Sequence, residues 1–188
     1  LLLHEMLLGN IRDDIAGRFR RPGEYVRVAT HIAPPLEQVE TLIEEILLTY
    51  QSDLTSFFMD KITKFHLDFE SIHPFNDGNG RMGRTIINFQ LSRLGFPIII
   101  LRNKGKDLYY QAFQEYESQR NSKTMEKVIY LALMESFHKR IAYLKGERII
   151  PLTDFAKEQT DTLSTLLNAA KRQTIPAFRE KGVWKIGH

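Results

Sequence analysis

The sequence predicts a mainly α-helical protein in two parts, a helical domain with one short β-hairpin and then a small module of two short helices and a hairpin. Three observations lead there. Apolar residues recur at steps of three and four over several long stretches, as on one face of a helix. Period-two alternation is confined to short runs. Glycine and proline, 11 and 7 among 188 residues, are too sparse for a loop-rich or disordered chain. With 43% hydrophobic residues the chain can bury one good core and a small appendage.

The first eight residues, LLLHEMLL, read as a helix already under way. They lack a capping residue and an initiator Met, so the expectation is of a chain truncated at its N-terminus. The stretch is too short and interrupted for a membrane span or signal peptide. In residues 24–33, from Glu24 to Ala33, Val26, Val28 and Ile32 alternate as in a short edge strand. A helix over 36–50 follows, then one over 54–72 with Phe58, Ile62, Phe65, Phe69 and Ile72 on a single stripe. Residues 85–94 are again helical in spacing, and a long helix fills 123–144. Gly146 and Pro151 mark a boundary between a domain over 1–145 and a module over 150–188.

Between the stripe helix and the helix at 85 lies His73-Pro-Phe-Asn-Asp-Gly-Asn-Gly-Arg-Met-Gly-Arg84. His73 has an ordinary pKa of about 6.5 and suits a general base at neutral pH. Asp77 is a hard oxygen ligand for a divalent cation such as Mg²⁺, which is commonly shared between a carboxylate and substrate phosphates. Gly78 and Gly80 let backbone N–H groups curl around an anion, and Arg81 and Arg84 present planar forks to phosphate oxygens. The positive end of the following helix dipole would face those phosphates. Phosphate chemistry is the class this equipment serves.

These residues match H-P-F-x-D-G-N-G-R-x-x-R, the signature of the Fic (filamentation-induced-by-cAMP) family, at all nine specified positions of the twelve. The resemblance extends to the stripe helix before the motif, to residues 24–33 as the family's flap, and to 95–100 and 107–111 as its nucleotide-side strand and helix start. It covers about residues 1–145 and implies a Fic-type helical fold with a β-hairpin flap.

The resemblance also implies a reaction, the transfer of AMP from ATP to a Tyr, Thr or Ser hydroxyl of a target protein. His73 would take the hydroxyl proton and Asp77 would hold Mg²⁺ against the α- and β-phosphates. Asn79 with the backbone of Gly78 and Gly80 would stabilise charge on the α-phosphate. Arg81 would grip the phosphate chain and Arg84 the γ-phosphate, while Tyr109 and Tyr110 would line the adenosine pocket. Phe75 reads as a loop anchor, and His66 as a hydrogen-bonded core histidine. The target main chain would add to the flap edge. Val26 stands where an arginine is common in that flap.

Many Fic proteins carry an inhibitory S/T-x-x-x-E-G/N helix, but no glutamate here is followed by Gly or Asn. The expectation is an inhibitory element lost with the N-terminus or supplied by a partner, and an active chain. Alternatives are a Fic enzyme that transfers another phosphate-containing group or removes AMP, and a DNA-binding regulator acting through the tail.

Residues 1–144 hold 18 basic and 18 acidic side chains and the tail 8 and 5, so the net +3 lies in the tail. There, helices over 152–159 and 163–172 and a hairpin pairing 175–179 with 183–186 resemble a winged helix-turn-helix of excisionase or MerR type. Ser164, Thr165, Asn168, Lys171 and Arg172 would face a DNA groove, with Lys181 and Lys185 on phosphates and Trp184 as core anchor. The chain has no cysteine, which excludes disulfides and thiolate metal sites and fits a cytoplasmic location. A homodimer is compatible with these features.

Overall fold

The computed structural model describes residues 1–24, 27–28, 31–102 and 106–188, with the side chains of 27, 28, 31, 106 and 107 left aside. Two compact units divide the chain: Leu1–Leu94 with Asn103–Glu126, and Gly95–Arg102 with Lys127–His188. Eight α-helices and five short strands are present among the described residues. The mainly α class holds, and no helix there is long and apolar enough to cross a membrane.

In the first unit, α1 (Leu2–Leu8) is the helix expected at the start. Strands β1 (Arg27–Val28) and β2 (His31–Ile32) pair antiparallel in the flap region, with Arg27 opposite Ile32. Val26 lies outside the described residues. Before the hairpin, Arg18 grips Glu24 with both guanidinium nitrogens, at 2.8 and 2.9 Å, and the Arg21 N–H donates to the same carboxylate. Those bonds, Arg18 first, pull the Glu24 carboxyl down to about 2.

Helix α2 (Leu36–Ser52) ends two residues past the expected point. Helix α3 (Phe58–Ile72) starts four residues later than its apolar stripe suggests. The reason is Asp53, whose Oδ1 accepts the N–H groups of Thr55 (3.1 Å) and Ser56 (2.9 Å), a side-chain turn that competes with a helical start. Nine residues of α3 are buried around most of its circumference, which makes it the central helix of the unit. Phe65 and Phe69 join Phe75 and Met82 in a core sealed by Leu3, Leu7, Phe19, Ile43, Ile46 and Tyr50.

Helix α4 (Asn79–Arg93) begins six residues before the expected Thr85 and takes in half of the motif. Gly78 ends the loop at φ 85°, a left-handed conformation that glycine adopts without strain. The Asn79 amide locks the start: Oδ1 accepts the Phe75 N–H at 3.0 Å and Nδ2 donates to the Phe75 carbonyl at 2.8 Å. Helix α5 (Lys106–Gln119) follows. The strand expected over 95–100 is absent. Ile99 is buried and Ile98 and Ile100 exposed, as in a strand. No described strand pairs with them, and the Ser136 hydroxyl takes the Ile98 carbonyl instead.

Helix α6 (Lys123–Leu144) has the expected bounds, starts in the first unit and continues in the second. In the second unit β3 (Ile149–Pro151), β5 (Val183–Gly187) and β4 (Ala177–Glu180) form an antiparallel sheet in the order β3-β5-β4. Lys181 and Gly182, both at positive φ, make the two-residue turn of the expected hairpin. The helix expected over 152–159 is only α7 (Leu152–Phe155) and one 3₁₀ turn, Ala156–Glu158, with no buried residue to extend it. Helix α8 (Leu163–Lys171) is capped by the Thr162 hydroxyl, which accepts the Thr165 N–H. Ile150, Leu152, Leu166, Ala170, Ala177 and Ile186 form the core here, with Trp184 packed against its edge.

Candidate active site

The loop from His73 to Gly78 joins the two most closely packed helices of the first unit, α3 and α4. His73 caps α3 at φ 49° and ψ 61°. That left-handed conformation costs a non-glycine residue on the order of 1–3 kcal/mol, and the residue before a proline would ordinarily be extended. A buried arginine holds it there. The Arg20 Nε donates to the His73 carbonyl at 3.1 Å and its own N–H to the Pro74 carbonyl at 3.0 Å. The remaining guanidinium reaches the Pro34 carbonyl. Burial lowers the Arg20 pKa.

The His73 ring has a defined orientation. Nδ1 lies 2.9 Å from the Glu70 carbonyl, an acceptor only, so Nδ1 carries the proton and the lone pair is on Nε2. This is the tautomer of a base that accepts at Nε2.

A second buried residue supports the other end of the loop. Fully buried His4 accepts the Gly17 N–H at Nδ1 (3.1 Å), which leaves Nε2 to donate to the Asp77 carbonyl (2.9 Å). Its ring stacks on Phe75 at 3.8 Å and 8°. Desolvation lowers the His4 pKa and keeps the ring neutral. Phe75, 2% exposed, also meets Phe19 and Phe69, so it is the anchor the sequence suggested.

The Asp77 carboxylate is half exposed, with Oδ1 accepting the Gly78 N–H at 2.6 Å and Oδ2 3.3 Å from Arg81 Nη2. No cluster of three or more His, Asp or Glu side chains exists among the described residues. A single open carboxylate is the donor set that suits Mg²⁺ completed by phosphates and water. Asn79 is 3% exposed, and both ends of its amide are engaged with Phe75. Arg84 folds back over Gly80, its Nη1 3.1 Å from where a Cβ would stand.

Beneath the motif lies a polar cluster. The Arg84 guanidinium lies beside the Tyr109 hydroxyl, which is 2.7 Å from His66 Nε2. Burial chiefly, and the Glu70 carboxylate next, push the Tyr109 hydroxyl well above its ordinary range. Tyr110, 43% exposed, stands edge-on to Tyr109. His66 is fully buried and held down to about 3, so it is neutral in the fold. Glu70 is also buried, which pushes it up to about 7 against the opposing pull of Arg84. Helices α3 and α4 approach so closely here that a Cβ on Gly83 would lie 2.7 Å from Glu70 Oε1 and 2.9 Å from His66 Nδ1.

The structure thus brings His73, Asp77, Gly78, Asn79, Gly80, Arg81 and Arg84 together on one loop and the first turns of one helix. Tyr109 reaches Arg84 from α5. Sequence reasoning missed Arg20, His4 and Glu70. For Glu70 an acidic residue on the apolar face of a helix was the available signal.

A Fic/DOC family model matches residues 1–91. Protein adenylyltransferase Fic of Nematostella vectensis is 31% identical over 163 residues, covering 85% of this chain and 36% of that protein. Protein adenylyltransferase fic-1 of Caenorhabditis elegans is 34% identical over 112 residues, covering 58% of this chain and 22% of that protein. The chain therefore spans well under half the length of these curated relatives. A solved fragment of C. elegans Fic-1 superimposes with a TM-score of 0.67 at 26% identity, over 77% of this chain and 42% of that one. A Fic family protein from Desulfovibrio desulfuricans G20 shares the fold over 100% of this chain and 67% of its own, with a TM-score of 0.61 at 22% identity. Residues 1–91, which carry the His73 loop near their end, match the Fic/DOC family.

Proposed function

We propose that this chain is a protein adenylyltransferase that moves AMP from ATP to a hydroxyl side chain of a target protein. The observation that carries the reading is the His73 ring, fixed with its lone pair on Nε2 at the mouth of a glycine-turn and helix N-terminus that suits phosphates. The curated relatives named protein adenylyltransferase support the same assignment.

In this reading His73 Nε2 accepts the proton of the target hydroxyl as its oxygen bonds to the α-phosphorus and pyrophosphate leaves. Asp77 would hold Mg²⁺, which when bound neutralises charge on the phosphates. Backbone N–H groups at the start of α4 and the Arg81 and Arg84 guanidiniums would grip the phosphate chain. Tyr109 and Tyr110 would border the adenosine, and the β1–β2 edge would take the target main chain. His4 and Arg20 hold the loop carbonyls and so preserve the alignment. We place the protein in the cytoplasm, its inhibitory control on a segment or partner outside these residues.

Incubation with α-labelled ATP and Mg²⁺ tests the reading. Label on the chain or a co-incubated protein, lost in His73→Ala, supports it, and unlabelled products with intact, folded protein sink it. Mass spectrometry of the modified protein identifies both the added group and its acceptor.

The exposed residues Ser164, Thr165, Asn168 and Lys171 on α8 and Arg172 at its C-cap, with Lys181 in the hairpin turn, favour a second role in DNA contact for the tail. Duplex binding that weakens with salt and is lost in Lys171→Glu/Arg172→Glu would support it, and salt-independent retention would not.

A further inference from the structure

Glu70 lies inside the protein with nothing in the proposed reaction to explain it. Its Oε1 is buried without a hydrogen-bond partner among the described residues. Its Oε2 is 3.9 Å from His73 Nδ1, the nitrogen that already donates to the Glu70 carbonyl. One residue thus presents both a carbonyl and a carboxyl to the same edge of the ring. A buried carboxyl with an unsatisfied oxygen costs stability, and such costs concentrate where they serve chemistry.

The groups that face Glu70 are few. His66, on its own helix, presents an unpartnered Nδ1 to the same small volume over Gly83. Arg84 on α4 supplies an opposing charge, and Tyr109 on α5 hydrogen-bonds His66. On the far side of His73, Arg20 engages only the main chain. When His73 Nε2 accepts a proton the ring becomes a cation, and the Glu70 carboxylate is the acid set against its Nδ1 edge.

We propose that Glu70 is a positioning residue for the His73 base, its carboxylate orienting the ring and stabilising the imidazolium that forms when the target hydroxyl gives up its proton. This is the role of the third member in a nucleophile–histidine–carboxylate arrangement, supplied here by a glutamate one helical turn before the base. The proposal rests on the adenylyl-transfer reading. It carries a pH signature, because burial holds the Glu70 carboxyl near neutrality, so the ionised form that assists His73 fills as pH rises through about 7.

Two measurements on the full chain test it. The first compares wild type, Glu70→Gln and Glu70→Asp in labelled AMP transfer from pH 5.5 to 8.5, at saturating and limiting ATP. Glu70→Gln should lower kcat roughly tenfold to a hundredfold and leave the KM for ATP within about twofold, since removing an acid–base contribution affects the chemical step. The part of the acid limb due to Glu70 should be lost in Glu70→Gln, leaving that of His73 itself, and should return in part with Glu70→Asp. Unchanged kcat and pH profile in Glu70→Gln, or equal losses from KM and kcat, overturns the proposal.

The second measurement needs no activity. In ¹⁵N-histidine spectra, the His73 ring nitrogens should shift with the ionisation of Glu70 in wild type, and that step should be missing in folded Glu70→Gln. Identical titrations overturn the proposal even if the chain transfers no AMP. Absence of transfer in wild type beside a Glu70-dependent His73 signal would instead refute the assigned reaction and retain the pairing.

Discussion

Glu70→Gln should stabilise the fold in a pH-dependent way. The carboxyl has an ordinary value of 4.5 and is carried to about 7 by burial, the Arg84 charge opposing. A carboxyl whose folded pKa is raised contributes stability that is complete below pH 4.5, declines as pH rises, and is gone once pH passes the folded value. At about 1.4 kcal/mol per pH unit, the loss across that window is about 3 kcal/mol. Glutamine keeps the shape and does not titrate, so the stability difference between variant and wild type isolates Glu70 from every other group. His66, neutral down to about 3, and the carboxylates of Glu24 and Asp53, held near 2, change charge below this window in both proteins. Urea unfolding followed by far-UV circular dichroism at half-unit steps from pH 4 to 8 supplies the measurement. The variant should gain on the wild type by about 3 kcal/mol between the two ends. A difference flat across the range would refute the burial argument and with it the pH signature near 7 expected of the His73 pairing.

Two further substitutions probe the same region. Gly83→Ala should cost about 1–3 kcal/mol by overpacking, because its Cβ would meet Glu70 and His66 below 3 Å, and this exceeds the helix-propensity gain of about 1 kcal/mol. Chemical denaturation decides it, and a stabilised variant would show that the helices can separate freely. Arg20→Lys should release the His73 and Pro34 carbonyls, since one ammonium cannot replace the fork. Faster amide exchange across residues 73–78 and a fall in transfer rate of at least tenfold, with α3 protection retained, are the expected results; unaltered exchange would remove Arg20 from the support of the loop.

The sequence made the motif legible because its residues are adjacent and each has a chemical specialty. Helix α6 was legible to the residue, since Asn121 and Ser122 end one element and Gly146 follows the next. The start of α4 was not. Asn79 and the two glycines after it are poor helix formers, and their helix is fixed by the Asn79 amide on Phe75 and by the close approach at Gly83. The stripe over 54–72 overran because periodicity does not register the Asp53 turn. The apolar run at 95–100 looked like a strand, but a strand also needs a partner. Arg20 and His4 were invisible for a different reason. They act on main-chain carbonyls 53 and 73 residues away, and no local pattern encodes such contacts.

Arg20 has a consequence for anyone who would redirect this protein to a new target. Its guanidinium touches the carbonyl of His73 with one nitrogen and that of Pro34, two residues past β2, with another. The exit of the hairpin and the seat of the base are thus pinned to a single side chain. A transplanted hairpin must therefore be spliced upstream of Pro34 and downstream of Arg20, and its length chosen to return Pro34 to that guanidinium. Grafts that ignore the constraint would exchange the recognition edge and misalign the base in the same cut.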